Sequence, residues 1–311
     1  MDNGTKFLLD SGDPDEYREI SKLAKEQGSE IWGSTTNPSL IAKKLAGKKI
    51  SQQEAFELQK KIVLEILEIV SGAVSAEVYA DQNTTADAMI EQGNDIATWH
   101  SRIIVKLPTT IEGFKARTAL RKAHIPVNNT LVFSQQQIYA ICLHEQIMQK
   151  TYGPLQSLFP PFISPFAGRL DDIGQDGMAL VENGMKIKKE FDLPLPSGSL
   201  AIWMLEASVR SLEHIKRGIV AKTELLTAPA KTYKEWFALP KEQRESLNGI
   251  TSYAEKLTKP SYWTAPEALK SISTPDEFMN AIESRKLDIT HSLTNKGIIR
   301  FADDWKAIIA E

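Results

Sequence analysis

Short apolar runs alternate with longer stretches of helical periodicity over most of the chain. The apolar runs predict eight strands, at Lys6–Asp10, Ile31–Ser34, Val74–Ala80, Arg102–Leu107, Val127–Phe133, Phe162–Pro165, Leu200–Leu205 and Glu224–Leu226. Helical patterns occupy the gaps between these strands, and several of them carry start signals. Ser51 and Glu54 form a capping-box pair, and Asp13 precedes Pro14 as an N-cap precedes a first helical turn.

Regular alternation of strands and helices is typical of parallel strands joined by right-handed crossovers. Eight such units predict an α/β fold, the (β/α)8 TIM barrel. A doubly wound open sheet is the competing architecture, because the pattern does not reveal strand order. No glycine-rich phosphate loop follows the early strands, which counts against the nucleotide-binding form of that sheet.

The stretch from 232 to 288 has a different pattern, which is helical and polar with aromatic residues at intervals. Thr274 and Glu277 mark a good helix start, and no strand pattern occurs in this stretch. We therefore expect one barrel domain over 1–311, in which 232–288 is a helical insertion and 289–311 is a C-terminal helix.

Composition narrows the classes of function. The net charge of the 311 residues is -3, so neither nucleic acid nor a membrane surface is an expected partner. Cys142 is the single cysteine, no run approaches ~18 apolar residues, and the N-terminus lacks a signal-peptide layout, which together predict a cytoplasmic protein. The five histidines lack the spacing of metal ligands, so we expect no metal and no cofactor. Homo-oligomer formation stays open.

The most unusual residue is Lys106, which lies inside the apolar run Ile103–Pro108. Strand periodicity places it on one face with Ile104, and it reaches the carboxyl end of the strand, where barrel enzymes position their catalytic groups. A buried lysine loses its proton more easily, and the free amine can then attack a carbonyl. The alternative is a solvated lysine on an edge strand, and this strand alone does not decide between the two.

Other strands place polar residues at the same end. Glu77 shares a face with Ser75, Thr130 shares a face with Asn128, and Asp10 ends the first strand, although Asn129 interrupts the alternation on the opposite face. Each residue alone is an ordinary strand-end residue, but together they predict a pocket that holds an amine, carboxylates, a hydroxyl and an amide. Asn37 follows the second strand and suits two roles, as the N-cap before Pro38 and as a ligand contact.

Two late segments are candidate anion sites. Ser164, Phe166 and Arg169 follow the sixth strand, and Ser208 and Arg210 follow the seventh. Each segment contains both a hydroxyl and a guanidinium, and a guanidinium is suited to bidentate contact with phosphate. The late loops of barrels often bind phosphate, so the pair predicts a phosphate site.

Five motifs occur in an order that resembles the transaldolase family along residues 6–229. They are Thr35–Leu40, Val74–Val78, Val105–Thr110, Asn128–Ser134 and Ser164–Arg169. The C-terminal stretch Leu293–Trp305 resembles the ending of the short, fructose-6-phosphate aldolase-like branch, whereas 232–288 matches neither branch. Glu77 and Phe166 favour the transaldolase branch over the aldolase branch.

The resemblance implies a metal-free barrel enzyme that transfers a dihydroxyacetone unit between sugar phosphates through a Schiff base, within the pentose phosphate pathway. Lys106 would form the Schiff base, Glu77 and Thr130 would hold a water that shuttles protons, and Asp10 would take the hydroxyl proton as the carbon–carbon bond breaks. The expected substrate-binding residues are Asn37, Asn128, Ser164, Phe166, Arg169, Ser208 and Arg210.

Two alternatives stay open at this stage. One is a fructose-6-phosphate aldolase, and the other is a catalytically silent sugar-phosphate binder on the same barrel. Glu206 departs from the small or apolar residues that usually precede the segment of Ser208, so it could disturb the phosphate end. The 232–288 insertion could also cover the mouth of the barrel.

Overall fold

A computed structural model describes residues 4–191, 202–246 and 256–310. Its eight strands are β1 (Lys6–Asp10), β2 (Gly33–Thr35), β3 (Val74–Glu77), β4 (Ile103–Pro108), β5 (Val127–Val132), β6 (Phe162–Pro165), β7 (Trp203–Glu206) and β8 (Leu225–Ala228). Each strand pairs in parallel with the next, and β8 returns to pair with β1. The predicted (β/α)8 barrel is therefore confirmed, and the open doubly wound sheet is excluded.

Helices separate the strands along the chain. They are α1 (Pro14–Glu26), α2 (Pro38–Lys44), α3 (Gln52–Leu67), α4 (Ala86–Thr98), α5 (Ile111–Lys122), α6 (Gln135–Tyr152), α7 (Ala167–Asp171), α8 (Gly177–Glu190), α9 (Leu212–Ala221), α10 (Ala230–Ala238), α11 (Lys241–Glu245), α12 (Glu267–Lys270), α13 (Pro275–Glu283) and α14 (Ser292–Lys306). The predicted caps are present: Asp13 accepts from the Asp15 amide, and Ser51 and Glu54 form the capping box of α3.

Several strand bounds differ from the sequence prediction. The second strand begins at Gly33 rather than Ile31, and the eighth extends to Ala228 because Thr227 and Ala228 pair with β1. The third strand ends at Glu77, before the predicted Ala80. Part of the predicted seventh strand, Leu200, lies outside the described residues. Apolar runs mark which residues are buried but not which of them find a ladder partner, so strand ends shift by a few residues.

Side chains of alternating direction divide the strands into an inner and an outer face. Leu8, Ile104 and Phe162 are fully buried inside the barrel, where the rings of Phe162 and Trp203 stack with centroids 5.9 Å apart. The ring of Trp32 also packs against that of Trp203, with centroids 6.1 Å apart. Burying a large apolar side chain contributes roughly 1.5–3 kcal/mol, so this apolar cluster stabilises the interior of the barrel. The polar residues lie at the opposite end, where the strands end.

The chain after β8 first completes the outer ring and then leaves it. Helix α10 packs against α1 and α9, and Lys234 forms a 2.7 Å ion pair with Glu19 of α1. Helix α13 packs outside α5 and α6, where Phe278 contacts Phe114 at 5.1 Å between ring centroids. Helices α10 and α13 thus lie on the flank of the barrel, whereas Thr258 and Ser261 bond to residues at the starts of α8 and α6. The division of the chain into barrel, insertion and tail remains a prediction.

Helix α14 lies across the carboxyl ends of the strands, against α2 and β5. The Thr294 hydroxyl donates to the Leu131 carbonyl of β5 at 2.9 Å, and the Gln137 amide donates to Thr294 at 3.0 Å. The C-terminal helix therefore borders the mouth of the barrel. No described helix is both long and apolar enough to cross a membrane.

Candidate active site

A pocket opens at the carboxyl ends of the barrel strands. Eight of the predicted site residues line it: Asp10, Asn37, Lys106, Ser164, Phe166, Arg169, Ser208 and Arg210. The other three, Glu77, Asn128 and Thr130, are buried on β3 and β5 beside Lys106. The barrel thus brings together residues that are scattered over 200 positions of the sequence.

Lys106 is buried in the centre of this arrangement, with only 3% of its surface exposed. On neighbouring strands it is in register with Glu77 and Asn128. Its Nζ lies 2.9 Å from Glu77 Oε2 and donates to the Thr36 carbonyl at 3.0 Å. The closed barrel rules out the solvated edge-strand alternative for this lysine.

Two carboxyl groups flank the amine, and both hold their protons more tightly than usual. Burial raises the pKa of the Glu77 carboxyl above its ordinary value, although the adjacent Lys106 pulls it down. Burial likewise raises the pKa of Asp10, against the charge of Lys106 and a 2.7 Å hydrogen bond from the Thr35 hydroxyl. Carboxyl groups with raised pKa values suit proton transfer near neutral pH.

An amide and two hydroxyls form a connected network on β3, β5 and β6. The Asn128 amide donates to the Ser75 hydroxyl at 3.0 Å and accepts from the Ser164 hydroxyl at 2.6 Å. All three side chains are buried, so these bonds fix the orientation of Asn128. Ser164 is therefore bonded to Asn128, and its hydroxyl donor is not directed at the arginines where we predicted a phosphate.

Thr130 presents a buried hydroxyl whose oxygen has no hydrogen-bond partner within residues 4–191, 202–246 and 256–310. A buried polar group that stays unpaired costs about 1–3 kcal/mol, so a partner such as water or a ligand is expected here. The next residue, Leu131, has a φ of 58°, and the ladder to β6 shifts register at this point. At this irregular position the Leu131 carbonyl accepts a hydrogen bond from Thr294 of α14, the helix that borders the pocket.

The cationic end of the pocket contains Arg169 and Arg210. The guanidinium of Arg169 lies 5.3 Å from the ring centres of both Phe166 and Phe301. Arg210 forms an ion pair with Asp172, and Ser208 adopts a φ of 57° beside Gly168, whose ideal Cβ would lie 2.4 Å from the Ser208 carbonyl oxygen. Glycine at 168 therefore allows the close approach of the two predicted anion segments.

Burial lowers the pKa of Arg169, and repulsion from Arg300 and Arg210 lowers it further. No direct ion pair of Arg169 occurs in the described part of the chain, and only the charges of Glu77 and Asp10, which are not in contact with it, act against this lowering. Clustered cations in a concave site attract anions, so the phosphate site stays a prediction that this cluster supports.

Helix α14 contributes Arg300 and Phe301 to the pocket, and sequence reasoning missed both residues. Phe301 belongs to the stretch Leu293–Trp305 that carried the C-terminal resemblance, but nothing in the periodicity shows that this helix crosses the mouth. Thr35 and Thr227 were also missed, and their hydroxyls lie 2.7 Å apart below Asp10.

The expectation that Glu206 could disturb the phosphate end is wrong. Leu205 lines the pocket, so strand alternation directs Glu206 outward into the helix layer, where it is fully buried against Gly218. Burial raises its pKa well above the ordinary value, since the nearby Arg217 already pairs with Asp176 and lowers that pKa only in part.

Asn129, the residue that interrupted the alternation of β5, also faces the helix layer. It accepts a 2.9 Å hydrogen bond from Arg117 Nε, and Arg117 in turn pairs with Glu145 at 2.8 Å. The Asn129 carbonyl oxygen, Arg117 and Glu145 are thus linked by hydrogen bonds between β5, α5 and α6, whereas the Asn129 amide nitrogen has no partner among the described residues. Asn129 is therefore a structural residue outside the pocket.

Within residues 4–191, 202–246 and 256–310, no group of three or more histidine, cysteine, aspartate or glutamate side chains has an arrangement that could hold a metal ion.

Comparison with known proteins gives one family. Residues 7–311 match the family described as transaldolase/fructose-6-phosphate aldolase. A protein named probable transaldolase from Brevibacillus brevis is 36% identical over 235 residues, which cover 76% of this chain and 91% of that protein. Another of the same name, from Prosthecochloris aestuarii, is 34% identical over 250 residues, covering 80% and 96%. Probable transaldolase 2 of Listeria monocytogenes is 33% identical over 235 residues, covering 76% and 89%.

Proposed function

We propose that this chain, which belongs to the transaldolase/fructose-6-phosphate aldolase family, is a transaldolase. It transfers a dihydroxyacetone unit from a ketose phosphate, such as fructose 6-phosphate or sedoheptulose 7-phosphate, to an aldose phosphate. The observation that carries this proposal is the buried Lys106 amine, which lies 2.9 Å from Glu77 at the base of a pocket with a cationic rim. A place in the pentose phosphate pathway and in the cytoplasm, and a homo-oligomeric state, remain predictions.

In the first step, the unprotonated Lys106 amine attacks the C2 carbonyl of the ketose and gives a carbinolamine. Glu77, through a water held with Thr130, delivers a proton to the departing hydroxyl, so that one water leaves and the Schiff base forms. The raised pKa of Glu77 and the unpartnered Thr130 hydroxyl support these roles.

In the second step, Asp10 accepts the proton of the C4 hydroxyl while the bond between C3 and C4 breaks. The aldose phosphate leaves, and the three-carbon unit stays on Lys106 as an enamine. An acceptor aldose phosphate then reacts by the reverse of these steps, and water releases the product ketose. Asp10 suits this exchange because its raised pKa lets it take up and return a proton within the pocket.

The remaining pocket residues bind and position the substrate. Asn128 and Asn37 hold the hydroxyls of the dihydroxyacetone unit. The N-cap role of Asn37 is present, since its Oδ1 accepts from the Leu40 amide at 3.0 Å. Its position in the pocket lining supports the proposed contact with substrate. Ser208 and the two rim arginines, Arg169 and Arg210, bind the phosphate, and Phe166 packs beside it.

Exchange with labelled carbon tests the proposed reaction. Fructose 6-phosphate and a four-carbon aldose phosphate should give sedoheptulose 7-phosphate and a three-carbon aldose phosphate. Free dihydroxyacetone should not accumulate when the acceptor is omitted. Rapid release of dihydroxyacetone without an acceptor would instead identify a fructose-6-phosphate aldolase, and ligand binding without any exchange would indicate a silent sugar-phosphate binder.

A further inference from the structure

Helix α14 brings a third arginine to the pocket. Arg300 and Phe301 are adjacent on this helix, and both line the same cavity as Lys106. They come from the last 12 residues of the 311-residue chain, far from the barrel strands that supply the other site residues. Their position depends entirely on how α14 is fixed over the barrel.

Three contacts fix α14. Thr294 is bonded to the Leu131 carbonyl and to Gln137, and Asp304 accepts a hydrogen bond from Ser39 of α2. Between them lies Gly297, whose ideal Cβ would lie 2.5 Å from Leu131 Cδ2 and 3.0 Å from Arg169 Nη1. The helix therefore packs directly against β5 and the rim of the pocket, and a side chain added at position 297 would have to displace the ends of Leu131 and Arg169.

Phe301 completes the environment of Arg169. The guanidinium of Arg169 lies 5.3 Å from the ring centroid of Phe166 and 5.3 Å from that of Phe301. Aromatic contacts of this kind hold a guanidinium in place without neutralising its charge. The donors at its edge stay available for an anion in the pocket.

Arg300 adds a second charge that carboxylates balance poorly. Its single carboxylate contact within the described residues is Asp304, at 3.8 Å from its Nε, and that carboxylate is already bonded to Ser39. Its side chain is 69% exposed, so it is free to turn toward the cavity it lines. Among the described residues, Arg169 therefore has no direct ion pair and Arg300 has one long ion pair, whereas Arg210 pairs closely with Asp172.

We propose that Arg300 is a specificity-determining residue that binds the phosphate of the sugar substrate together with Arg169. The C-terminal helix is then part of the substrate site, as a wall that carries both a phosphate ligand and the ring that orients Arg169. The identity of the ligand as a sugar phosphate rests on the proposed function, whereas the binding of a phosphate dianion does not.

Steady-state kinetics of Arg300→Ala test this role. KM for fructose 6-phosphate should rise about tenfold, with a much smaller change in kcat, because one charge-assisted contact to the phosphate is lost. Arg300→Lys should recover part of the affinity. Lys296→Ala is the matched control, since it removes an equal charge from an exposed position of the same helix outside the pocket, and its KM should equal that of the parent protein.

The substrate comparison separates phosphate binding from a general structural role. Use of unphosphorylated fructose should respond equally little to Arg300→Ala and to Lys296→Ala. An equal loss for fructose and fructose 6-phosphate would overturn the inference, and so would a KM for fructose 6-phosphate that is the same in Arg300→Ala and Lys296→Ala.

Calorimetric titration with inorganic phosphate keeps this test independent of the reaction. If the parent protein binds phosphate and Arg300→Ala weakens that binding about tenfold while Lys296→Ala does not, the inference stands even if no carbon transfer is found. If transfer occurs but Arg300→Ala binds phosphate as the parent does, the inference fails and the proposed function is unaffected.

Discussion

At the residue scale, burial separates the chemical roles of similar side chains. Glu77 and Glu206 are both buried strand-end glutamates with raised pKa values, yet only Glu77 has an amine beside it. Successive side chains of a strand point to opposite faces, so Glu77 points into the barrel whereas Glu206 points into the helix layer. The first is placed to exchange protons with a substrate, and the second contacts only protein.

Glu77→Gln should slow formation of the Schiff base while leaving the fold intact. Glutamine keeps the size of the side chain but cannot donate or accept the proton, so the single-turnover rate should fall by about 10²–10⁴-fold. Rapid-quench trapping measures that rate, and the urea midpoint reports on the fold. Glu68→Gln, at an exposed position, is the control. An unchanged single-turnover rate would remove Glu77 from the mechanism.

Glu206→Gln should flatten the fall of stability with rising pH. The pKa of Glu206 is higher in the folded protein than the ordinary value of 4.5, so the native state binds more protons than the unfolded state between the two pKa values. Its free energy of unfolding therefore decreases as pH rises through that interval, by at most about 1.4 kcal/mol per pH unit. A glutamine at this position has no proton to lose.

Urea unfolding at a series of pH values from 4.5, the ordinary pKa of a glutamate, upward measures this slope. The slope should be shallower for Glu206→Gln than for the parent protein, whereas the exposed Glu68→Gln should follow the parent. Identical slopes for all three proteins would show that Glu206 does not stay protonated in the folded state.

At the element scale, the strands could be predicted from the sequence and the position of α14 could not. Alternation along β3, β4 and β5 identified Glu77, Lys106 and Thr130, because period two fixes which side chains share a face. Helix α14 shows an ordinary amphipathic pattern, and its place over the mouth depends on tertiary contacts such as Thr294 with Leu131. Arg300 and Phe301 were missed for that reason.

Gly297→Ala should weaken both the protein and its sugar-phosphate binding. Alanine normally favours a helix over glycine by about 1 kcal/mol, but here its Cβ would lie 2.5 Å from Leu131 Cδ2. Leu131 is fully buried, so its methyl groups have little room to turn aside and α14 must move instead. We therefore expect a loss of about 1–3 kcal/mol in the free energy of unfolding and a raised KM for fructose 6-phosphate. Denaturant unfolding and steady-state kinetics measure the two effects.

Lys296→Ala, one position earlier on the same helix, is the control for that experiment and should stay within about 0.5 kcal/mol of the parent. A Gly297→Ala protein as stable as the Lys296→Ala protein would contradict the close approach of α14 to β5.

At the scale of the whole molecule, the order of elements reduced the fold to two α/β architectures, the closed barrel and the doubly wound open sheet. Eight strand patterns separated by helical ones admit few architectures, and closure was confirmed by the pairing of β8 with β1. Closure also explains why Lys106, Asp10 and Arg169 share one pocket, since parallel strands place all their carboxyl ends on the same face. The flank position of α13 was not predictable, because Phe278 finds its partners only in the folded ring.

The central claim is that Lys106 forms a Schiff base with the substrate inside the barrel, and borohydride trapping tests this claim most directly. The protein is incubated with fructose 6-phosphate and borohydride, and the modified peptide is mapped by mass spectrometry. We expect a reduced three-carbon adduct on Lys106, absent from Lys106→Met and retained in Lys6→Met, which alters a lysine at the opposite end of the barrel. No adduct, or an adduct on another lysine, would contradict the proposed mechanism.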